Sequence, residues 1–255
     1  MSQIPTVLAS DIDNTLTGNA PALERLGRQL AVLRKQNKLR LFLTTGRTLR
    51  EVLVDGFEQE NIPQADAIIS LVGTEIYLPP FEAKMEPLPE WDERLHQQFS
   101  REKAVDFVAD IEGVEIQPEH YNTALKASYF LDKSPDPANT VQQIKQRVAG
   151  QSNGYQVVWS SGKDLDILPA DAGKGKAIRF LLSYLDLEPQ RVITAGDSGN
   201  DRSMLEEFEH GIVVANAQPE LKKLKEDLTS NSKLYFANQP YAAGVAEGLR
   251  YFGVL

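Results

Sequence analysis

TVLASDIDNTLTG, residues 6–18, runs from an apolar stretch straight into two aspartates, and the fold is read from it outward. Thr6–Ile12 has the continuous apolar character of a buried strand, and two further runs match it: Leu39–Thr45 (LRLFLTT) and Ala67–Gly73 (AIISLVG). Between the first two lies NAPALERLGRQLAVLRKQN, residues 19–37. Asn19 is an N-cap candidate there, and Leu23, Leu26, Leu30 and Leu33 fall on one helical face. Strand, helix, strand, helix, strand requires parallel pairing with right-handed crossovers. The predicted fold class is therefore α/β, a doubly wound, mostly parallel, Rossmann-like sheet.

The texture changes after Tyr77. LPPFEAKMEPLPEW (residues 78–91) carries Pro79, Pro80, Pro87 and Pro89, which reads as a domain crossing. Beyond it the pattern predicts a helix over about Asp92–Ile111, then strands at Val114–Gln117 and Ala124–Leu131. A helix over Pro137–Val148 and strands at Tyr155–Ser160 and Asp164–Leu168 follow. That order suits a small antiparallel sheet with helices on one face. From Gly173 the βα alternation resumes, with a helix in KAIRFLLSYL, a strand at Arg191–Ala195, a helix near Met204 and a strand at Gly211–Ala215. The predicted organisation is a core of residues 1–80 and 169–255 interrupted by an inserted α+β cap domain, residues 81–168.

Composition narrows the function classes. The 255 residues contain 27 Lys+Arg against 36 Asp+Glu, a formal charge of −9, which disfavours a broad nucleic-acid surface. The absence of cysteine excludes disulfides, thiolate metal sites and Cys nucleophiles. No basic, then apolar leader opens the chain, and no run approaches the ~18 apolar residues of a membrane span. A cytoplasmic protein is expected, without nucleic-acid or membrane partners.

Four short segments carry chemistry. Asp11 and Asp13 stand at the end of the first strand, and residues i and i+2 of an extended chain project to one side. Thr45 and the Gly46 N–H, in TTGRT, end the second strand and can donate to an anion. Lys174, in DAGKGKAIRF, opens a helix where ammonium and free N–H groups create positive potential. ITAGDSGNDRSML places Asp197, Asn200 and Asp201 just past another strand, an oxygen-rich set suited to Mg²⁺. Each alone also reads as a capped turn or a solvated lysine. All four, however, fall at the C-terminal edge of one predicted sheet, where open α/β folds bind ligands. Carboxylates ~4 Å apart repel by roughly 4 kcal/mol per pair at an effective dielectric near 20, so the cluster calls for a cation. With Mg²⁺, a lysine and hydroxyl donors it forms a phosphoryl-transfer site.

DIDNT, TTGR, AGKGK and GDSGND, in this order, resemble the four motifs of the haloacid dehalogenase-type phosphatase superfamily, and the insertion resembles that superfamily's type II cap. The resemblance covers essentially the whole chain. It implies that Asp11 is the nucleophile and Asp13 the general acid and base. It implies phosphate binding by Thr45, Gly46, Lys174 and Asn200. It also implies a Mg²⁺ site of Asp11, Asp13 (through its main-chain carbonyl), Asp197 and Asp201, with Asn200 and Asp201 supporting the metal's waters and the lysine. A phosphomutase or phosphonatase would place its cap between the first two motifs, where only a helix-sized gap exists.

SSGKDLDILP, LVGTEIY, LKASYFL and GIVVANAQPEL resemble segments of the bacterial sucrose-phosphate phosphatase branch. The activity this implies is release of sucrose and orthophosphate from sucrose 6-phosphate. A sugar needs placed hydroxyl partners, which makes Glu75, Lys126, Ser128, Lys163, Asp164 and Asp166 the substrate-binding candidates. The alternatives are another phosphorylated glycoside, such as mannosylfructose phosphate or a glycosyl-phosphoglycerate, and a non-catalytic partner of a sugar-phosphate synthase. Association of an active phosphatase with such a synthase is a further expectation. His96, His120 and His210 show no ligand spacing, Trp91 and Trp159 read as packing residues, and the charged runs 101–106 and 222–227 read as solvated helix faces.

Overall fold

The apolar runs become strands of one sheet because each is flanked by helices that cover both of its faces. The computed structural model describes residues 6–97, 99–151, 153–224 and 233–255. The chain forms β1 (Thr6–Asp11), α1 (Ala20–Lys35), β2 (Leu39–Thr44) and α2 (Leu49–Glu51), which continues as a wider π-helix over Val52–Gln59. Next come β3 (Ala67–Ser70), β4 (Glu75–Tyr77), α3 (Pro89–His96) and α4 (Arg101–Asp106). The second half of the excursion holds β5 (Glu115–Ile116), β6 (Ala127–Phe130), α5 (Pro137–Gln151), β7 (Tyr155–Ser160) and β8 (Asp164–Pro169). The chain then returns through α6 (Lys174–Tyr184), β9 (Val192–Gly196), α7 (Arg202–Glu207), β10 (His210–Val213), α8 (Pro219–Lys222) and β11 (Lys233–Phe236), and a C-terminal helix spans Tyr241–Tyr251.

Seven strands lie in the order β11-β10-β9-β1-β2-β3-β4, parallel except for β4. Alternation along each strand separates two apolar layers. Leu8, Leu41, Leu43 and Ile68 join Leu23, Leu26 and Leu30 of α1 and Val245 and Leu249 of the C-terminal helix. Val7, Ala9, Phe42 and Ile69 face Ile178, Leu181 and Leu182 of α6 and Trp91 of α3. Each such leucine or isoleucine contributes roughly 1.5–3 kcal/mol by leaving water. The α/β, mostly parallel architecture is the one predicted. The Asn19 side chain accepts from the Ala22 N–H as the N-cap of α1.

Four antiparallel strands, β5-β6-β8-β7, form a second sheet. Ala127, Tyr129, Leu165 and Ile167 on one of its faces pack against Val141, Ile144 and Val148 of α5 and Ala104 of α4. The opposite face carries Lys126, Ser128, Asp164 and Asp166, and it is this face that turns toward the larger sheet.

Three local expectations change. The strand predicted over Ala67–Gly73 ends at Ser70, because Leu71 (φ 46°) and Val72 (φ 61°) turn through left-handed backbone. The turn is held by Thr45 N–H to Ile69 O, Leu71 N–H to Arg47 O and Val72 N–H to Thr45 O. The reversal creates β4, antiparallel to β3 and not anticipated. Gly73 has a left-handed φ of 90°, and a Cβ there would lie 2.4 Å from the Gly173 carbonyl carbon, so only glycine lets this turn touch the start of α6. The helix expected over about 92–111 is two helices, α4 restarting at Ser100, whose hydroxyl accepts from the Lys103 N–H. The charged run over 222–227 lies partly outside the described residues.

Candidate active site

β1 ends at Asp11, buried in the middle of the sheet, and α6 begins with Lys174, fully buried. Lys174 Nζ lies 2.7 Å from Asp11 Oδ1 and 2.6 Å from Asp201 Oδ1, so one ammonium joins the ends of two distant segments. Asp201 Oδ2 accepts from the backbone N–H groups of Asp197 (2.9 Å) and Ser198 (3.1 Å), which folds the turn after β9 around its own carboxylate. Asp197 Oδ1 takes a long bond, 3.4 Å, from the Thr15 hydroxyl. Oxygens of Asp11, Asp197 and Asp201 all lie within 4.8 Å of one another.

Three buried carboxylates against one ammonium set the electrostatics. Burial, followed by the Asp201 charge, pushes Asp11 well above the usual carboxylate range despite Lys174. Asp197 is pushed up to about 7, by burial first and by Asp201 second. Burial alone would lower Lys174, but Asp11 and Asp201 more than reverse that and hold it charged. The donor set fits a hard divalent cation: it is all oxygen, it carries excess negative charge, and a cation would relieve the repulsion that raises these acids. Asp11 and Asp197 have oxygens to offer it. Both oxygens of Asp201 are already engaged, which suits support of the lysine and the turn better than direct ligation.

The Asp13 side chain does not join this cluster. Arg47, the arginine of TTGR, grips it through Nε (3.0 and 3.2 Å) and a terminal nitrogen (2.6 Å). The same guanidinium donates to Glu60 at 2.8 and 3.1 Å. Sequence reasoning quoted Arg47 in its motif and gave it no role; its position two residues past Thr45, beside the first strand, was the available signal. The Thr45 hydroxyl accepts from the Arg47 N–H at 3.0 Å, and Thr45 itself is buried beside β1.

Between the two sheets lies a crevice of about 610 Å³, within the ~300–1,000 Å³ common for small-molecule sites. The larger sheet contributes Asp11, Asp13, Gly46, Arg47, Asp197 and Asn200 to it. Lys126, Lys163, Asp164 and Asp166 form the facing wall. Gln117 and Tyr121 also line it and were missed. Lys126 Nζ lies 2.7 Å from Asp166 Oδ1, both side chains nearly inaccessible. Gln117 Nε2 donates to Asp164 Oδ1 at 3.1 Å, and burial raises the Asp164 carboxyl.

Two candidates stand elsewhere. Glu75 does not line the crevice: on the short strand β4 it shares a face with Tyr77, and its Oε2 accepts from Ser70 Oγ (2.9 Å) and Tyr77 OH (2.8 Å). Ser128 sits behind the wall, its hydroxyl committed to Asp166 Oδ1 (2.7 Å) and the Tyr121 carbonyl (3.1 Å). Both were expected to bind substrate, and neither is among the residues that line the crevice. Trp91 is a packing residue, its indole N–H donating to the Gly73 carbonyl.

A central-strand carboxylate locked to a helix-start lysine, facing an acidic turn across an open α/β sheet, is the architecture of haloacid dehalogenase-type phosphatases, and the protein is a phosphoric monoester hydrolase of that class. Residues 4–253 match the family model described as sucrose-6F-phosphate phosphohydrolase, and the chain belongs to this family. A mannosylfructose-phosphate phosphatase of Agrobacterium fabrum is 31% identical over 249 residues, covering 97% of each chain. Sucrose-phosphatase 1 of Nicotiana tabacum is 29% identical over 97% of this chain but only 59% of its own, longer length. The solved structure of the sucrose-phosphatase of Synechocystis sp. PCC6803 in complex with sucrose and phosphate gives a TM-score of 0.89 at 30% identity, covering 98% of this chain and 99% of that one. Among the described residues no helix is long and apolar enough to cross a membrane.

Proposed function

We propose that this protein hydrolyses sucrose 6-phosphate to sucrose and orthophosphate through an aspartyl-phosphate on Asp11. The observation that carries the reading is the crevice itself, with Asp11 and Lys174 at its floor and the polar pair Lys126–Asp166 in its facing wall. Lys174 occupies one Asp11 oxygen and leaves the other for phosphorus. The P–O bond to Asp11 forms as the bond to the sugar oxygen breaks, and Asp13 donates a proton to that leaving oxygen. Water then attacks the phosphoryl group, Asp13 takes the water's proton, and the P–O bond to Asp11 breaks. Arg47 holds Asp13 in place, and the Thr45 hydroxyl, the Gly46 N–H, Asn200 and Lys174 contact the phosphoryl oxygens. Asp11, Asp197 and the Asp13 main-chain carbonyl would hold Mg²⁺, with Asp201 behind them. The ion supplies charge neutralisation of the phosphoryl group when bound.

Residues 81–168 act in this reading as the inserted cap that supplies sugar contacts and excludes water, and residues 1–80 and 169–255 as the core that supplies the chemistry. The lack of cysteine, and of any helix among the described residues long and apolar enough to cross a membrane, suits a cytoplasmic enzyme. A 28% identical match to 31% of a glucosylglycerol-phosphate synthase of Pseudomonas anguilliseptica supports association with a synthase. The Agrobacterium relative favours one second reading, mannosylfructose phosphate as substrate. Phosphate release from these two esters, a glycosyl-phosphoglycerate and simple hexose phosphates, with Mg²⁺ or EDTA, decides between them. The proposal requires the highest kcat/KM on sucrose 6-phosphate and loss of turnover in EDTA. A flat profile across the panel overturns it.

A further inference from the structure

Glu51 occupies an unusual position between two roles. It is the third residue of α2, where it completes a capping box: its Oε2 accepts from the Thr48 N–H (2.7 Å) and hydroxyl (2.9 Å), and the Glu51 N–H returns a bond to Thr48 Oγ1 (3.3 Å). The box itself uses only one of the two carboxylate oxygens and leaves Oε1 over. Here Oε1 accepts from the Tyr121 hydroxyl at 2.8 Å, across a sequence separation of 70 residues. Tyr121 lies in the turn Glu119–Tyr121 between β5 and β6 of the smaller sheet, and it lines the crevice. Its backbone carbonyl accepts from Lys126 Nζ (3.4 Å) and Ser128 Oγ (3.1 Å), and its ring lies 5.8 Å from Lys126 Nζ. Tyr121 therefore fastens the sugar-facing wall to the larger sheet's second crossover, between β2 and β3.

The receiving end is equally well connected. Thr48 follows Arg47 directly, and Arg47 carries the fork that holds Asp13 and Glu60. The turn 47–51 thus grips the general acid at one end and the facing wall at the other. Burial and the bond to Glu51 push the Tyr121 hydroxyl up to about 12, so it stays a donor throughout the working range. The bonds from Thr48 and Tyr121 outweigh burial and hold Glu51 below its ordinary value, so it stays an acceptor.

Resting on the phosphatase reading above, we infer that Tyr121 and Glu51 form a closure latch, a positioning pair that fixes the sugar-facing wall over the phosphoryl site and registers it with Asp13. Neither touches the reacting atoms. Removing the hydroxyl lowers the ratio of closed to open enzyme by about tenfold, the effect of losing one hydrogen bond to a charged acceptor.

The test is a cycle of Tyr121→Phe, Glu51→Ala and the double variant, read as kcat/KM on whichever sugar phosphate the wild type hydrolyses best. Tyr121→Phe is expected to lose about tenfold in the wild-type background and nothing further in the Glu51→Ala background. The same tenfold loss in both backgrounds, or none in either, overturns the latch. Hydrogen exchange of Tyr121→Phe, without substrate, provides a second reading. Exchange is expected to quicken both in Glu119–Asn122 and in Thr48–Glu51, and wild-type rates in both segments overturn the latch. Failure of every sugar phosphate on the panel would overturn the functional reading while leaving the exchange result to decide the latch.

Discussion

Gly199 lies where the turn after β9 meets the smaller sheet, and a methyl group added there measures how much the enzyme depends on that contact. A Cβ on Gly199 would stand 2.1 Å from the Trp159 carbonyl oxygen, 3.2 Å from its carbon and 3.4 Å from Ser160 Cα. All three are backbone atoms of β7, so no side chain can rotate out of the way. Gly199 has no left-handed φ, so alanine adopts its backbone without strain and the collision is the whole effect. An ordinary carbon–oxygen approach is about 3.3 Å, which requires β7 to withdraw by about 1.2 Å. Overpacking of this kind costs about 1–3 kcal/mol. Because Ser160 and Ser161 follow directly in the crevice wall, the displacement reaches the bound sugar, and a shift near 1 Å costs on the order of 10²-fold in rate. Gly199→Ala is therefore expected to lose about two orders of magnitude in kcat/KM on the preferred sugar phosphate, with Tm lowered by only a few degrees. Steady-state kinetics and a thermal melt check both. Kinetics within twofold of wild type at unchanged Tm would refute the reasoning, since the turn and the strand could not then touch in the working enzyme.

Asp11→Asn should abolish turnover while keeping the fold, because it removes one of three crowded buried acids and leaves Lys174 paired with Asp201; circular dichroism beside a phosphate-release assay reads both. Arg47→Lys keeps the charge but loses the fork on Asp13, and kcat should fall about 10–100-fold, the range of a displaced general acid, most steeply for poor leaving groups. Equal losses for good and poor leaving groups would count against that role. The cation dependence of stability follows from Asp197, whose carboxyl, at about 7, is raised in the folded state. A raised carboxyl favours folding below its unfolded value near 4 and loses that contribution as pH rises through 7. Mg²⁺ instead favours the ionised form, so the Tm difference between Mg²⁺ and EDTA should be larger at pH 8 than at pH 5. Equal differences at the two values would argue against binding at this cluster.

What could be read in the sequence was what repeats or what clusters by charge. β1, β2 and β3 are legible because a parallel strand covered on both faces must be apolar at nearly every position, and Leu8, Phe42 and Ile69 satisfy that on alternate sides. Asp11, Lys174 and Asp201 are legible because strand ends and helix starts are where such residues gather. Arg47 and Tyr121 were hidden for the opposite reason: an arginine in a turn and a tyrosine in a short loop are ordinary until a distant carboxylate is known to face them. The surroundings of Glu75 were hidden too, because the three-residue reversal into β4 turns it onto Ser70 and Tyr77. That reversal depends on Leu71 and Val72 adopting left-handed backbone, which neither residue type signals.

The strand that carries Asp11 also decides when the enzyme can come into being. β1 pairs on one side with β2, close in sequence, and on the other with β9, Val7 opposite Val192. During synthesis the smaller sheet, with β7 and β8 joined by a tight hairpin, can form from local contacts alone. The edge of β1 toward β9 stays open until about three-quarters of the chain has been made. Lys174 emerges before Asp197 and Asp201, so the nascent chain holds Asp11 and its ammonium partner before the other two acids. Catalytic competence thus waits on β9 and the turn that follows it, and a chain stopped before β9 presents an unpaired apolar strand rather than a weak phosphatase, which makes such truncated products a target for quality control.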